Sequence, residues 1–406
     1  MWESAVVDGV VDGVVDGVRG LELSSTELVV LAIALVLVVA LVGYGLYRYL
    51  RKTPGEQFAQ LLWSLDSVAV LMHPDPDPDA MSSAVAAAEI AAGRGTDVNI
   101  YYPGRIQRHE NRAFETVLDL EFERIERADE IREKQVVLVD HNTTRDLKNA
   151  GTLDIVAVVD HHPGSGTGEQ FTDVRTEMGA CASILSEYFD DLGRTPENTW
   201  IDPHPEDEQD EQKLETARKE GWLPASISTA LVYGIQSDTK NLTSGCTQVD
   251  FEAVRYLYSG IDGDKLDRMA NPDVDSETLE VKARAITNRD VRPPFAVSDV
   301  GTVSNSEAIP QAADELQRLD SVRAVVVLGD KDDVIRLAGR SEDDRVHMGK
   351  MLGTLADDIP MAGAGGHARM GGGRISIEHM EGLGPSEGMT RAEFKEQLFG
   401  AMNGEL

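Results

Sequence analysis

The chain reads as an α/β protein: a parallel, doubly wound sheet, then a smaller α/β domain, with one apolar helix in front. Three observations predict this. Short β-branched runs alternate with helical patterns through the first half, the mark of successive βαβ units. Three of those runs, at Val68–Met72, Val136–Val139 and Val158–Val159, each close on carboxylate or imidazole side chains, and ligands bind at the carboxyl ends of strands in open parallel sheets. Finally, Arg292-Pro293-Pro294 interrupts the pattern, and a second alternation follows it.

Taken in order, residues 1–27 form an exterior tail. Val-Val-Asp-Gly recurs three times from Val6 to Gly17. A period of four suits neither strand nor heptad, its Gly and Asp favour turns, and the Asp spacing does not match a calcium loop. Leu28 to Tyr47 carries no charge and has about the 20-residue length that a helix needs to cross hydrocarbon. Tyr44, Tyr47 and Tyr49 sit at one end, followed by Arg48, Arg51 and Lys52, whereas Asp8, Asp12, Asp16, Glu22 and Glu27 lie on the other side. The positive-inside rule then predicts a single-pass protein of the cell membrane with its C-terminal bulk in the cytoplasm. The acidic N-terminus and the missing small-residue cleavage site argue against a signal peptide. Residues 48–64 read as a juxtamembrane linker, within which 53–64 is either a helix or a linker.

The first domain is expected over residues 65–255. Val68–Met72, Asp97–Tyr101, Gln135–Val139 and Ile155–Val159 read as strands. Asp79–Ala92, Gly179–Asp190 and Ser226–Gln236 read as helices, and the charged Glu115–Glu133 as partly helical. Residues 191–221 form an acidic surface insertion in which His204 reads as part of a solvated loop. Residues 256–292 make a polar, helical connector. The second domain, residues 293–402, has strands at Val297–Val303, Ala324–Leu328, Val334–Ala338 and Arg374–Glu378. Its helices are Ser306–Leu319, His347–Ala356 and one near Arg391–Phe399.

Composition narrows the function. There are 71 acidic residues against 38 basic ones, for a net charge of -33, and 27 arginines against 11 lysines. Such a surface suits high salt, where screening relieves self-repulsion, and gives the chain a composition of haloarchaeal type. It excludes a broad basic track for long nucleic acid. Cys181 and Cys246 are the only cysteines; they have no metal spacing and make no disulfide framework, as in a reducing compartment.

The chemistry concentrates at the strand ends. His73, Asp77 and Asp79 follow the first run at spacings of four and two, with Pro76 and Pro78 holding the turn out of a helix. Asp140 ends the second run and could bridge two ions. Asp160, His161 and His162 end the third, and Asp238 closes the apolar Ser226–Gln236 segment. Carboxylates and imidazoles without thiolates suit Mn²⁺, with Mg²⁺ or Co²⁺ as substitutes. Two such ions would activate a water and offset charge on a phosphoryl group. Further along, the Gly-rich Ala362–Gly373 stretch lets backbone N–H groups approach a phosphate, with Arg340, Arg369 and Arg374 available to pair with its oxygens.

These motifs resemble the DHH family of phosphoesterases: His73-x-x-x-Asp77-x-Asp79, then Asp140, then Asp160-His161-His162, then Asp238, in family order over residues 68–245. Gly365-Gly366-His367-Ala368-Arg369, with Arg340, resembles the DHH-associated C-terminal domain over about residues 295–400. The resemblance implies a two-Mn²⁺ phosphoric ester hydrolase. One metal would be held by His73, Asp77 and Asp140, the other by Asp79, Asp140, His161 and Asp238. It implies that His162 faces the substrate phosphate, that Asp160 orients the histidines, and that Asn111, Arg340, Gly365, Gly366, His367 and Arg369 lie near substrate. Ser82 and Ser83 stand where many relatives have Gly-Ser. The implied substrate is a nucleotide or short oligonucleotide: a cyclic dinucleotide, foremost cyclic di-AMP, or else linear oligonucleotides of nano-RNase type or the 3′-phosphate of adenosine bisphosphate. Pyrophosphatase chemistry is disfavoured by the Gly-Gly-His domain, and a catalytically silent membrane nucleotide sensor is the reading from another class. A homodimer is compatible with all of these, and no motif specifies one.

Overall fold

The computed structural model describes residues 25–50, 52–106, 109–144, 147–164, 166–203, 208–357, 359–383 and 388–405. The Val-Val-Asp-Gly series and His204 lie outside them. Helix α1 (Ser25–Leu50) leads. Its side chains described in full, at positions 30, 31 and 33–44, are exposed. Among the described residues no helix is long and apolar enough to cross a membrane. The expected single-pass span, and the membrane localisation built on it, are therefore corrected.

The segment expected as a helix or linker belongs to the first core. Helix α2 (Pro54–Leu62) opens on a Thr53/Glu56 capping box and buries Phe58, Ala59 and Leu62. After it come β1 (Ser67–Leu71), α3 (Pro78–Ala92), β2 (Asp97–Pro103), α4 (His109–Leu118), β3 (Glu123–Ile125), β4 (Gln135–Val139), β5 (Asp154–Asp160) and β6 (Phe171–Val174). All six strands are parallel, in the order β3-β2-β1-β4-β5-β6. Strands β1, β4 and β5 are apolar nearly throughout, as strands covered on both faces must be. The order reverses between β1 and β4, so the crevice at their carboxyl ends is the topological switch point where such sheets bind ligands.

Small residues set how closely the helices cover this sheet. α3 is Ala-rich and fully buried through most of its length. It crosses α7 (Ala225–Asp238), where a Cβ on Gly234 would lie 2.1 Å from the Ser82 hydroxyl. Gly234 thus makes the room that Ser82 takes. Between them in sequence lie α5 (Cys181–Asp191), β7 (Thr195–Pro196), α6 (Glu208–Glu220) and β8 (Trp222–Leu223). The acidic insertion is consequently tied down: Arg218 of α6 makes two-pronged bonds to Glu89 of α3, at 3.0 and 2.7 Å.

The connector is helical as expected, with α8 (Gln248–Leu257), α9 (Gly263–Ala270) and α10 (Ser276–Thr287). A second, mixed sheet follows: β9 (Arg289–Arg292), β10 (Phe295–Thr302), β11 (Ala324–Lys331), β12 (Val334–Ser341), β13 (Gly363–Gly366) and β14 (Met370–Ser376). Its order is β13-β14-β12-β11-β10-β9, with only β10 and β11 parallel. Helices α11 (Ala308–Gln317) and α10 pack on one face, over Val300, Val325 and Val327. Helices α12 (Met348–Asp357), α13 (Ile377–Met380) and α14 (Arg391–Asn403) serve the other, over Val326, Leu328 and Ile335.

Glu89 is 6% exposed and Arg218 21%. Arg218→Ala leaves that carboxylate buried without its partner, so we expect a loss of about 3 kcal/mol, at the low end for a broken buried pair because Arg218 is partly exposed. Urea denaturation reads it as a lower midpoint, and adding Glu89→Gln should recover part of the loss. An unchanged midpoint would show that the pair does not anchor the insertion.

Candidate metal centre

Beyond β1 the chain is held extended by Pro74, Pro76 and Pro78, and Asp75 adopts a left-handed φ of 55°. Asp75 Oδ1 accepts the Arg105 N–H at 2.7 Å, pinning the turn to the end of β2. Asp77 caps α3: its Oδ1 accepts from the N–H groups of Asp79 and Ala80 at 3.2 and 3.1 Å, while Pro78 at the first helical position needs no acceptor. His73 Nδ1 lies 2.9 Å from the Pro74 carbonyl. The neutral ring therefore carries its proton there, and Nε2 is left to face Asp140 Oδ2 at 3.5 Å and Asp77 Oδ1 at 3.8 Å.

Asp79 is fully buried and does two jobs. Its oxygens accept the N–H groups of Cys181 and Ala182 at 2.7 and 2.8 Å. It thereby caps α5 from a distance, since Ala180 at the N-cap supplies no side-chain bond. Its Oδ2 also lies 3.7 Å from His161 Nε2. Asp140 follows β4 with φ at 60°, a conformation Asp tolerates better than most residues, and its N–H is bound to the Val159 carbonyl at 2.9 Å.

Past β5, the His161 ring is turned by an Nδ1 contact of 3.2 Å to the Met178 carbonyl. Its Nε2 then faces Asp140 Oδ1 at 3.3 Å and Asp238 Oδ2, at the end of α7, at 3.4 Å. Asp160 is fully buried and does not join this convergence. Its Oδ1 accepts from the backbones of His161 and His162 at 2.8 and 3.1 Å and meets His162 Nδ1 at 3.0 Å. The His162 side chain is 51% exposed.

Three overlapping donor sets result: His73, Asp77 and Asp140; Asp79, His161 and Asp238; and Asp140, His161 and His162, with the ligand atoms of each set within 4.8 Å of one another. Both oxygens of Asp140, and Nε2 of His161, are buried with no hydrogen-bond partner among the described residues. Orphaned buried polar atoms of this kind are costly, and a divalent cation would satisfy all three. Oxygen and imidazole donors fit such a cation. The protonation pattern says the same. Burial works against charging His73 and His161, yet Asp140, Asp77 and Asp238 outweigh it and push both imidazoles up to about 11. Burial raises Asp79 and Asp238, reinforced by neighbouring carboxylates. Burial would raise Asp140 too, but the two imidazoles hold it well below the usual carboxylate range. The cluster draws positive charge from whatever source supplies it.

Residues 67–217 match the DHH family, N-terminal domain, and residues 292–383 match the DHHA1 domain, together more than half of the chain. The chain carries a DHH-family N-terminal domain followed by a DHHA1 domain. An uncharacterized protein of Methanocaldococcus jannaschii is 31% identical over 344 residues, which cover 84% of this chain and 63% of that protein. A probable manganese-dependent inorganic pyrophosphatase of Bacillus cereus is 27% identical over 234 residues, 53% of this chain and 64% of that one. The chain thus spans somewhat less than two thirds of the length of these two relatives. Among solved structures, an exopolyphosphatase-related protein from Bacteroides fragilis shares the fold, with a TM-score of 0.61 at 14% identity over 86% of this chain and 95% of that one.

The remaining expected site residues fall into two places. Asn111, buried on α4, donates from Nδ2 to the Pro76 carbonyl at 2.8 Å, and its Oδ1 has no partner among the described residues. It braces the turn that carries His73 and Asp77. Arg340, Gly365, Gly366, His367 and Arg369 gather at one end of the second sheet, where Arg340 pairs across to Met370 and Gly366 to Gly371. Both arginines are engaged: Arg340 with Asp314, and Arg369 with Asp344 at 2.7 Å. The carbonyls of His367 and Ala368 accept the N–H groups of Gly349 and Met348 at 2.9 Å, so the hairpin caps α12. Most of the glycines serve close packing. A Cβ on Gly349 would come within 2.2 Å of Gly366, and one on Gly339 within 2.4 Å of Met348. Gly363 and Gly365 differ, because a Cβ on either would meet nothing within 4 Å.

Sequence reasoning missed Asn142. Its Nδ2 donates to Asp160 Oδ2 at 2.6 Å and to the His162 carbonyl at 3.1 Å, and Gly164 and Gly166 pack directly against it. The available signal was its position three residues past the end of an apolar strand and two past Asp140.

Two outcomes follow for Mn²⁺ titration by calorimetry. At pH 8 the metal-free imidazoles of His73 and His161 hold their protons, whereas a ligand must be neutral. Uptake should therefore expel about two protons, and affinity should rise with pH. Buffers of different ionisation enthalpy count the protons, and a count near zero would remove this account of the cluster. Asn142→Ala releases Asp160 and His162, and should weaken Mn²⁺ binding by roughly 10–100-fold.

Proposed function

We propose that this chain is a two-metal phosphoester hydrolase of small phosphodiesters, with short linear oligonucleotides as the favoured substrates and cyclic di-AMP as a further candidate. The observation that carries this reading is Asp140, whose two orphaned oxygens face different imidazoles, His73 and His161. The corrected membrane span removes the feature that singled out the cyclic messenger.

In this reading His73, Asp77 and Asp140 would hold one cation. Asp79, Asp140, His161 and Asp238 would hold the second, with Mn²⁺ expected and Mg²⁺ or Co²⁺ able to substitute. Bound there, the cations supply a nucleophilic water at neutral pH and offset charge on the phosphoryl group. The protein supplies the proton. Asp160 holds the His162 ring by Nδ1 and leaves Nε2 of an exposed imidazole free. The hydrogen bond to Asp160, stronger in effect than partial burial, raises the His162 pKa. The ring can therefore donate at neutral pH to a phosphoryl oxygen or to the departing alkoxide. Asp160, fixed by Asn142 and two backbone N–H groups, is a positioning residue. In the second domain, Arg340 and Arg369 would exchange their carboxylate partners for substrate phosphate, His367 would face it, and Gly365 would let it approach the backbone.

Likeness to pyrophosphatases over half of the chain supports a second reading, hydrolysis of pyrophosphate. The full chain, supplied with Mn²⁺, should be assayed against a linear diadenylate, cyclic di-AMP and pyrophosphate side by side. Release of mononucleotide from the linear compound supports the first reading; cleavage of pyrophosphate alone replaces it with the second. Turnover of none, with Mn²⁺ bound, leaves a nucleotide-binding protein without hydrolysis. Asp140→Ala should abolish activity, and His162→Ala should lower kcat by roughly 10²–10⁴-fold with Mn²⁺ binding retained.

A further inference from the structure

Away from the metal centre, α4 and α9 form the walls of an open cleft of about 430 Å³, closed at one end by the turn Asn271–Asp273. We propose that this cleft is a second ligand site, and that it takes a nucleoside monophosphate. Arg112 projects from α4 and Arg268 from α9, both exposed. In so acidic a chain arginines readily find carboxylates, as Arg175, Arg218, Arg292 and Arg391 do. Arg112 and Arg268 form no ion pair or hydrogen bond with any described residue, and they line the same cleft. Two unpaired guanidiniums converging on one volume repel each other until an anion joins them, and planar forks suit a phosphate.

The other walls say more than anion. Asp273 lines the cleft without pairing to either arginine. A carboxylate there disfavours a polyanion but accepts hydrogen bonds from ribose hydroxyls. Thr116 adds a hydroxyl, and Val117 with Pro272 offers an apolar edge for a base. The volume lies within the roughly 300–1,000 Å³ typical of small-ligand sites.

The cleft is also preformed. Lys265 of α9 donates to the Val117 carbonyl of α4 at 3.3 Å, and its ammonium sits 3.8 Å over the Trp200 ring. Phe114 stacks on Tyr233 with centroids 5.8 Å apart, and the Tyr233 hydroxyl donates to the Met269 carbonyl at 3.0 Å. The two walls are thus fixed to each other and to α7. One helix connects the cleft to the chemistry: α4 presents Arg112 to it and, one residue earlier, Asn111 to the Pro76 carbonyl of the metal-bearing turn.

Equilibrium dialysis of the full chain with labelled 5′-AMP, in excess chelator, tests the site without any contribution from bound metal. Saturable binding is expected, at least tenfold tighter than that of adenosine or of inorganic phosphate alone. Arg112→Gln and Arg268→Gln should each weaken it at least tenfold, Arg268→Lys less so, and Arg318→Gln, at an exposed arginine that belongs to neither site, not at all. Both arginines are exposed, and an unchanged urea midpoint verifies that the variants are folded. Absence of saturable binding overturns the proposal. So does phosphate binding as well as AMP, which would leave an anion patch without nucleoside recognition. Loss on Arg369→Gln with retention on Arg112→Gln would move the nucleotide to the second domain.

Discussion

One buried carboxylate organises this molecule. Asp140 stands where the strand order of the first sheet reverses, in a left-handed conformation, almost without exposure, between two imidazoles. A charge in such a place is tolerable only when opposite charge surrounds it. His73 and His161 have their outer nitrogens fixed by backbone carbonyls, so that the inner ones are committed to Asp140. The prolines after β1, the cap at Asp77 and the brace from Asn111 all set the position of His73. The long reach of Asp79 to α5 and the Asn142–Asp160 clamp set the position of His161 and His162. Remove the central charge and most of these devices have nothing to align.

The second domain solves a different problem. Its sheet must admit a helix at very short range, and glycines on both surfaces, Gly339 and Gly371 on the strands and Gly349 on α12, allow it. That packing takes up much of the glycine richness that sequence alone suggested was for phosphate. What is left over is informative: Gly363 and Gly365 each have open space where a side chain would go. Arg340 and Arg369 are held by Asp314 and Asp344; the Arg369 pair is exposed and weak enough in water to be traded for a phosphate, whereas the Arg340 side chain is only 16% exposed.

Much of this was legible in the sequence, for identifiable reasons. Parallel strands buried on both faces are apolar without interruption, so β1, β4 and β5 stood out, and the ligands fell at their ends. The short strands β3 and β6 did not: Glu123–Ile125 is charged, and Phe171–Val174 has no apolar run to show. Residues 53–64 read as either helix or linker because a helix that buries only one face, through Phe58 and Leu62, resembles a polar tether. The apolar run of α1 suggested a membrane span from length and flanking charge, and the structure does not sustain it. In the site, the carboxylates and histidines that converge were recognisable by chemical type. Asn142 was not, since an amide that works by holding two neighbours carries no distinctive pattern.

The crossing of α3 and α7 has a historical consequence. Ser82 and Gly234 share one small volume, in which a hydroxyl on one helix occupies the place of a methyl on the other. The two positions are therefore not free to drift independently. A side chain at 234 is admitted only if the Ser82 hydroxyl turns away and the Cβ atoms of Ser82 and Ala182, 3.1 and 3.2 Å off, give by a few tenths of an ångström. A pair of unremarkable residues far apart in the chain thus behaves as one inherited unit, in which a change at either position alters what the other can hold.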